Sequence, residues 1–212
     1  MKQILTILLL SGLLISCGSE EGNDIPEFYE LQTVKDFVPL DILESSSSVI
    51  FEGLGQDDIE FNLEYTERER DISANGIEFT TEEIQVSYTN IEEDFSMQIL
   101  LTSQLDTTLN SITELLRISM DADINVPIIA SDAGVFQVDG SIELRFNGQE
   151  QIMPFLLPQE IVINGTTFSN AYKSVASLIP GSSIQELYYN PESGIIGYSD
   201  EEGFKLSLKE FR

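Results

Sequence analysis

Apolar and polar side chains alternate with a period of two over most of the chain beyond residue 48. Ile59, Phe61, Leu63 and Tyr65 fall on one side of an extended segment, with Glu60, Asn62, Glu64 and Thr66 on the other. The same pattern returns in Ile84, Val86 and Tyr88, in Phe95, Met97, Ile99 and Leu101, and in Ile118, Met120, Ala122, Ile124 and Val126. It returns again in Ile142, Leu144 and Phe146, and in Phe204, Leu206 and Leu208. This is the mark of strands with one face buried and one face wet. The expected fold is therefore all-β: an antiparallel β-sandwich or incomplete barrel with hairpin connections and at most one or two short helices.

Three Asn-Gly pairs punctuate the strands, and both residues tolerate the positive φ that two-residue hairpin turns require. A turn at Asn75-Gly76 sets Ala74 against Ile77 and Ile72 against Phe79, with Ser73 against Glu78 on the wet face. One at Asn164-Gly165 sets Ile163 against Thr166 and Ile161 against Phe168. One at Asn147-Gly148 sets Arg145 against Glu150, an opposite-charge pair.

Two stretches depart from the alternation. Residues 25–44 mix apolar side chains with Pro26 and Pro39, which suits an irregular segment or edge strand packed on the domain. From Asp106 the spacing of Leu109, Ile112 and Leu116 fits one face of a short helix with Asp106 as its cap, although the threonines there also suit a strand.

The beginning of the chain is of another kind. Lys2 precedes an apolar run from Ile4 to Leu14, too short to span a hydrocarbon core of ~30 Å and shaped like an export signal. Leu14-Ile15-Ser16-Cys17 resembles the lipobox of bacterial lipoproteins. That resemblance implies a thioether from Cys17 to diacylglycerol, cleavage before Cys17 and acylation of the new amino group. Residues 1–16 are then a signal peptide, residues 17–24 an acidic flexible tether, and residues 25–212 a single β-rich domain. Two or three acyl chains hold a protein durably, so the membrane is the first expected partner, reached through a lipid anchor. Gly18 stands where a retention aspartate would keep such a lipoprotein at the inner membrane. Ser19-Glu20-Glu21 resembles the short acidic export tag of Bacteroidota-type surface lipoproteins. The expected location is the outer membrane, on its periplasmic or cell-surface face, with the surface favoured.

A second resemblance lies in the last quarter of the chain. Leu187-Tyr188-Tyr189, the turn Asn190-Pro191-Glu192-Ser193-Gly194, Ile195-Ile196-Gly197-Tyr198 and the acidic-glycine turn before Phe204 resemble the ending of small Bacteroidota-type lipoproteins that carry no assigned chemistry. It also takes in the upstream arm from Gly165 to Tyr172.

Composition removes most enzyme classes. The 212 residues contain no histidine and one cysteine, which removes the usual general base, the usual zinc ligand and any disulfide within the chain. Ten basic against 37 acidic side chains, a formal charge of -27, repel a phosphate backbone, so no nucleic-acid partner is expected.

The remaining candidates for chemistry are weak beside their structural readings. Asp121-Ala122-Asp123-Ile124-Asn125 begins like a calcium loop, but the required sixth-place glycine is Val126 and the twelfth residue is Asp132. Strand alternation accounts for it. Gln56-Asp57-Asp58 and Asp200-Glu201-Glu202 read as acidic turns that collect cations only loosely. Ser169 and Lys173 are the one serine-lysine pair worth naming, and Lys173 sits in an ordinary polar arm. Tyr188 and Tyr189 are adjacent in a strand, which places one in the core and leaves the other for a binding surface. Asp106-Thr107-Thr108 fits a short O-glycosylation acceptor pattern, with Thr107 as the acceptor. No catalytic residue, metal ligand or cofactor is expected. The chain reads as a lipid-anchored, non-enzymatic binding or structural accessory module for an envelope protein or glycan. The rivals are a glycosidase-like hydrolase using two carboxylates and an open β half-barrel that carries an apolar ligand.

Overall fold

The computed structural model describes residues 25–53, 55, 57–90, 95–106, 111–120, 141–148, 150–151, 157–174, 184–200 and 205–212. The signal, lipobox and tether, including Ser19, Glu20 and Glu21, lie outside these residues, as do Thr107, residues 121–126 and most of the acidic turn at 200–202.

The described elements begin with β1 (Phe28–Tyr29), a 3₁₀ turn (Thr33–Phe37) and a short helix α1 (Leu40–Ser45). Then come β2 (Ser48–Gly53), β3 (Ile59–Ala74), β4 (Ile77–Asn90), β5 (Phe95–Asp106), β6 (Ser111–Met120), β7 (Ile142–Asn147) and β8 (Glu150–Gln151). β9 (Gln159–Ile163), β10 (Thr166–Lys173), β11 (Ile184–Asn190), β12 (Gly194–Asp200) and β13 (Lys205–Phe211) complete the chain.

The order in the sheet is β8-β7-β6-β5-β4-β3-β2-β13-β12-β11-β10-β9, all antiparallel, with β1 added in parallel beside β4. Within β2–β8 and within β9–β13 each strand thus lies beside its neighbour in sequence, and the two runs join where β13 pairs with β2. The domain is all-β, a curled sheet that stops short of closing. Its two edges are β8 and β9. Pro158, immediately before β9, has no amide hydrogen to offer a ladder there.

The inward side chains follow the alternation. Phe51, Phe61, Ile84, Val86, Tyr88, Met97, Ile99, Leu101, Leu116, Ile118, Ile142, Leu144 and Phe146 form one core with Leu187, Tyr189, Ile195, Tyr198 and Leu206. Phe51, Phe61 and Tyr198 meet edge to face, with centroids 5.5, 5.9 and 6.3 Å apart. Leu31, Val34, Val38 and Leu43 belong to the same core, so the segment before β2 fills the concave side of the sheet.

The β9–β10 hairpin makes a second, smaller layer. Ile161, Ile163 and Ala171 pack on Tyr188 and Ile196, and the Asn164 amide donates to the carbonyls of Glu52 and Lys205. Gly197 permits this close stacking: a Cβ there would lie 2.2 Å from the Leu206 carbonyl oxygen and 3.2 Å from Ile163 Cδ1.

Two of the three hairpins have the expected register, with Ala74↔Ile77, Ser73↔Glu78 and Ile72↔Phe79 in one and Ile163↔Thr166 and Ile161↔Phe168 in the other. Asn75 and Asn164 have φ of 54° and 50°. The third slips by one residue. Asn147 pairs with Glu150 and Phe146 with Gln151, so Gly148 with its φ of 58° is the first loop residue and Arg145 does not face Glu150. Phe146 is buried, which fixes the face of β7 whatever the turn prefers.

The short helix from Asp106 is also corrected. Asp106 ends β5, and Ser111 to Leu116 belong to β6. Ile112 and Leu116 are four apart, a spacing that period two satisfies as well as a helical turn does, and Glu114 and Ile118 complete the inward row. The helical turns occur instead in the stretch read as irregular or edge strand, at 33–37 and 40–45.

Candidate binding surface

The N-terminal segment enters the sheet through a split. β4 and β5 are paired from Ile84↔Leu101 onward, while β1 lies beside β4 nearer its start, at Phe28↔Thr80 and Tyr29↔Thr81. The Thr81 hydroxyl donates to the Tyr29 carbonyl at 3.3 Å and accepts from Ser103 at 2.8 Å, bridging the split.

Buried carboxylates hold the segment in place. Glu114, 2 % exposed on β6, accepts from the Tyr29 hydroxyl at 2.8 Å, the Gln32 amide at 3.0 Å and the Val34 amide at 2.7 Å. Glu82 accepts from the Leu31 amide at 3.1 Å and pairs with Lys35 at 2.8 Å. Burial, and then the bond to the Glu114 carboxylate, push the Tyr29 hydroxyl well above its ordinary pKa. The Tyr189 hydroxyl donates to the Phe37 carbonyl, and the Phe37 ring lies 4.5 Å from that of Phe146. These carboxylates grip backbone amides and one lysine.

Beside this segment the long β3–β4 hairpin carries two guanidinium groups on one carboxylate. Arg68 is the register partner of Glu83, and Arg70 lies two residues further along β3. Arg68 donates from Nε (2.8 Å) and Nη2 to Glu83 Oε1, and Arg70 from Nη1 to Oε2 at 3.1 Å. Glu83 is buried, whereas the two arginine side chains are 58 % and 50 % exposed. A second such fork on β6 and β7 sets Arg117 (2.8 Å) and Arg145 (2.6 Å) on Glu143.

The first fork borders two concavities. One, of about 530 Å³, is lined by Arg68, Glu69, Arg70, Glu83, Gln85, Gln98 and Leu100. The other, of about 360 Å³, is lined by Phe28, Glu30, Glu67, Arg68, Glu69 and Glu82. The two lie on opposite faces of the β3–β4 hairpin, with Arg68, Arg70, Glu83 and Gln85 on one face and Glu67, Glu69 and Glu82 on the other, and Phe28, beside Thr80, stands 46 % exposed at the margin of the second. One face offers cationic N–H donors and amides, the other carboxylate acceptors and one accessible ring.

The residues singled out from sequence take other places. Tyr188 and Tyr189 are both buried, on opposite faces, because the β9–β10 hairpin covers the face expected to be free. Lys173 pairs with Glu186 and lies 6.0 Å from the centroid of the Tyr188 ring. Ser169 lies four residues earlier on β10, across a bulge at Asn170, where its carbonyl accepts from the Asn190 amide. Asp58 of the first acidic turn pairs with Lys209 at 2.7 Å. Among the described residues no three His, Cys, Asp or Glu side chains gather as a metal site, and no helix is long and apolar enough to cross a membrane.

Sequence reasoning missed Arg68, Arg70, Glu83, Glu114 and Phe28. The signal for the arginines was present: two of only ten basic residues stand two apart in Glu67-Arg68-Glu69-Arg70, which puts both on one strand face. In comparisons with known proteins, the chain matches no protein-family model, no curated protein and no solved structure.

Proposed function

We propose that the chain is a lipid-anchored, non-enzymatic binding module of the outer membrane, held through Cys17 and presenting its β domain to an envelope glycan or protein. The observation that carries this reading is Leu14-Ile15-Ser16-Cys17 at the end of a short apolar run. The short distance from Cys17 to β1 supports it, since ten residues separate Cys17 from Phe28 and the domain is tied to its carrier surface by a brief acidic leash. The role of Glu82, Glu83 and Glu114 as structural acceptors favours binding over a two-carboxylate hydrolysis. The core segment on the concave side likewise favours an outward-facing binding surface over an apolar cargo within the sheet.

The test is metabolic acyl labelling. Wild-type protein takes up labelled fatty acid and sediments with membranes, and Cys17→Ala abolishes both. Unchanged labelling in the variant overturns the anchor. Treatment of intact cells with a protease then reads the side of the membrane. Loss of wild-type protein together with protection of a Glu20→Ala/Glu21→Ala variant supports the export tag, and protection of both overturns it.

A further inference from the structure

We propose that Asn75 is a site of spontaneous deamidation, and that Asn164, the same dipeptide in the same kind of turn, is guarded against it by the bonds that dock the β9–β10 layer. Asparagine followed by glycine is the pairing most open to this reaction, because glycine has no side chain to hinder its amide nitrogen. The Gly76 nitrogen, its proton taken up by solvent base, attacks the Asn75 side-chain carbonyl carbon. The bond from that carbon to the side-chain nitrogen breaks, and ammonia leaves. The five-membered succinimide then takes up one water at either carbonyl, giving aspartate or isoaspartate. Solvent water is the sole co-reactant.

The backbone treats the two places alike. Asn75 and Asn164 have φ of 54° and 50°, and Gly76 and Gly165 have φ of 79° and 86°. Each pair forms a two-residue loop, one closed by Ala74↔Ile77 and the other by Ile163↔Thr166. A Cβ at Gly76 or Gly165 would meet nothing within 4 Å, so both glycines border open space. The asparagine side chains differ. Asn75 is exposed at the tip of its hairpin and its side chain makes no hydrogen bond among the described residues. The half-buried Asn164 amide donates to the Lys205 carbonyl at 2.9 Å, the Glu52 carbonyl at 3.2 Å and the Ser207 hydroxyl at 3.3 Å. The ring closes only once the side chain has left these partners, so the reaction at Asn164 waits for the hairpin tip to lift from the sheet. The third pair stands apart, since Asn147 is a ladder residue of β7 opposite Glu150. The product also matters differently at the two sites. An aspartate at 164 has no N–H to donate and faces two carbonyl oxygens, which undocks the layer covering Tyr188 and Ile196. At 75 it adds a charge in water.

The experiment incubates the full chain in mildly alkaline buffer, folded and unfolded in guanidinium, and scores proteolytic peptides by mass for the change that marks loss of the amide. With each folded rate divided by the rate of the same site in guanidinium, the ratio at Asn164 should be lower than that at Asn75 by about tenfold or more. Gly197→Ala, which loosens the layer, should raise the Asn164 rate and leave the Asn75 rate unchanged. If that variant does not fold, Ser207→Ala, which removes one acceptor, takes its place. Asn164→Asp should lower the denaturant midpoint of unfolding, whereas Asn75→Asp should leave it where it is. Equal ratios at the two sites, a higher ratio at Asn164, no reaction at Asn75 in the folded chain, an Asn164 rate unmoved in the folded variant, or equal midpoints for the two aspartate variants overturns the proposal.

Discussion

Gly197 and Glu186 show how single positions hold the second layer together. Any side chain at 197 must displace the Leu206 carbonyl or the Ile163 side chain, so Gly197→Ala should cost about 2 kcal/mol, measured by urea unfolding. An unchanged midpoint would show that the hairpin layer gives way freely. Glu186 is subject to opposed influences. Burial raises its pKa, but hydrogen bonds from Lys173 and Tyr188 and the nearby Lys205 charge outweigh that and leave it below the ordinary carboxylate value. A carboxyl depressed in the folded state stabilises above its unfolded pKa and loses that contribution as the pH falls through the folded one. The melting temperature should therefore drop as the pH falls below about 4, and Glu186→Gln should flatten that part of the profile. An identical acid profile in the variant would count against the Lys173–Glu186–Tyr188 cluster.

At the level of elements, alternation made β3, β4, β5, β7 and β13 legible, because each has one buried face and a period-two pattern has one physical reading. Residues 28–45 were not legible in the same way. Leu31, Val34, Val38 and Leu43 are spaced irregularly because the segment crosses the concave face, and its stability comes from acceptors on distant strands. A single glutamate among 37 acidic residues gives no sign that it will accept backbone amides from a segment 80 residues away. The arginine fork lay in the sequence as a strand-face pair, but the place of Phe28 beside Thr80 follows only from the split between β4 and β5. Glu114→Ala removes the acceptor for two amides and one hydroxyl in a buried place, and should cost about 3 kcal/mol or more. Hydrogen exchange should speed at residues 28–38 ahead of the central strands. Uniform exchange across the domain would show that the segment does not open on its own.

Across the whole molecule, buried phenols set an alkaline limit. Burial foremost pushes the hydroxyls of Tyr29, Tyr88, Tyr188 and Tyr189 above their ordinary pKa. A group raised in the folded state stabilises fully below its unfolded pKa and loses that contribution as the pH rises through the folded value. Stability should hold to about pH 10 and then fall, with tyrosinate absorbance appearing in step with unfolding. Tyrosinate that forms well before unfolding would mean that these phenols are reached by solvent in the native state.

The pairing of β13 with β2 has a further consequence. The middle of the sheet joins β2, made early, to β13, made late, so Val49 pairs with Phe61 at once but waits for Phe211 before its other side is laddered. Contacts that distant in sequence are slow to form. A nascent chain lacking its final residues holds two unjoined half-sheets and has no reason to commit to the folded state. For the exported lipoprotein proposed above, that delay would keep the chain threadable until β13 has emerged.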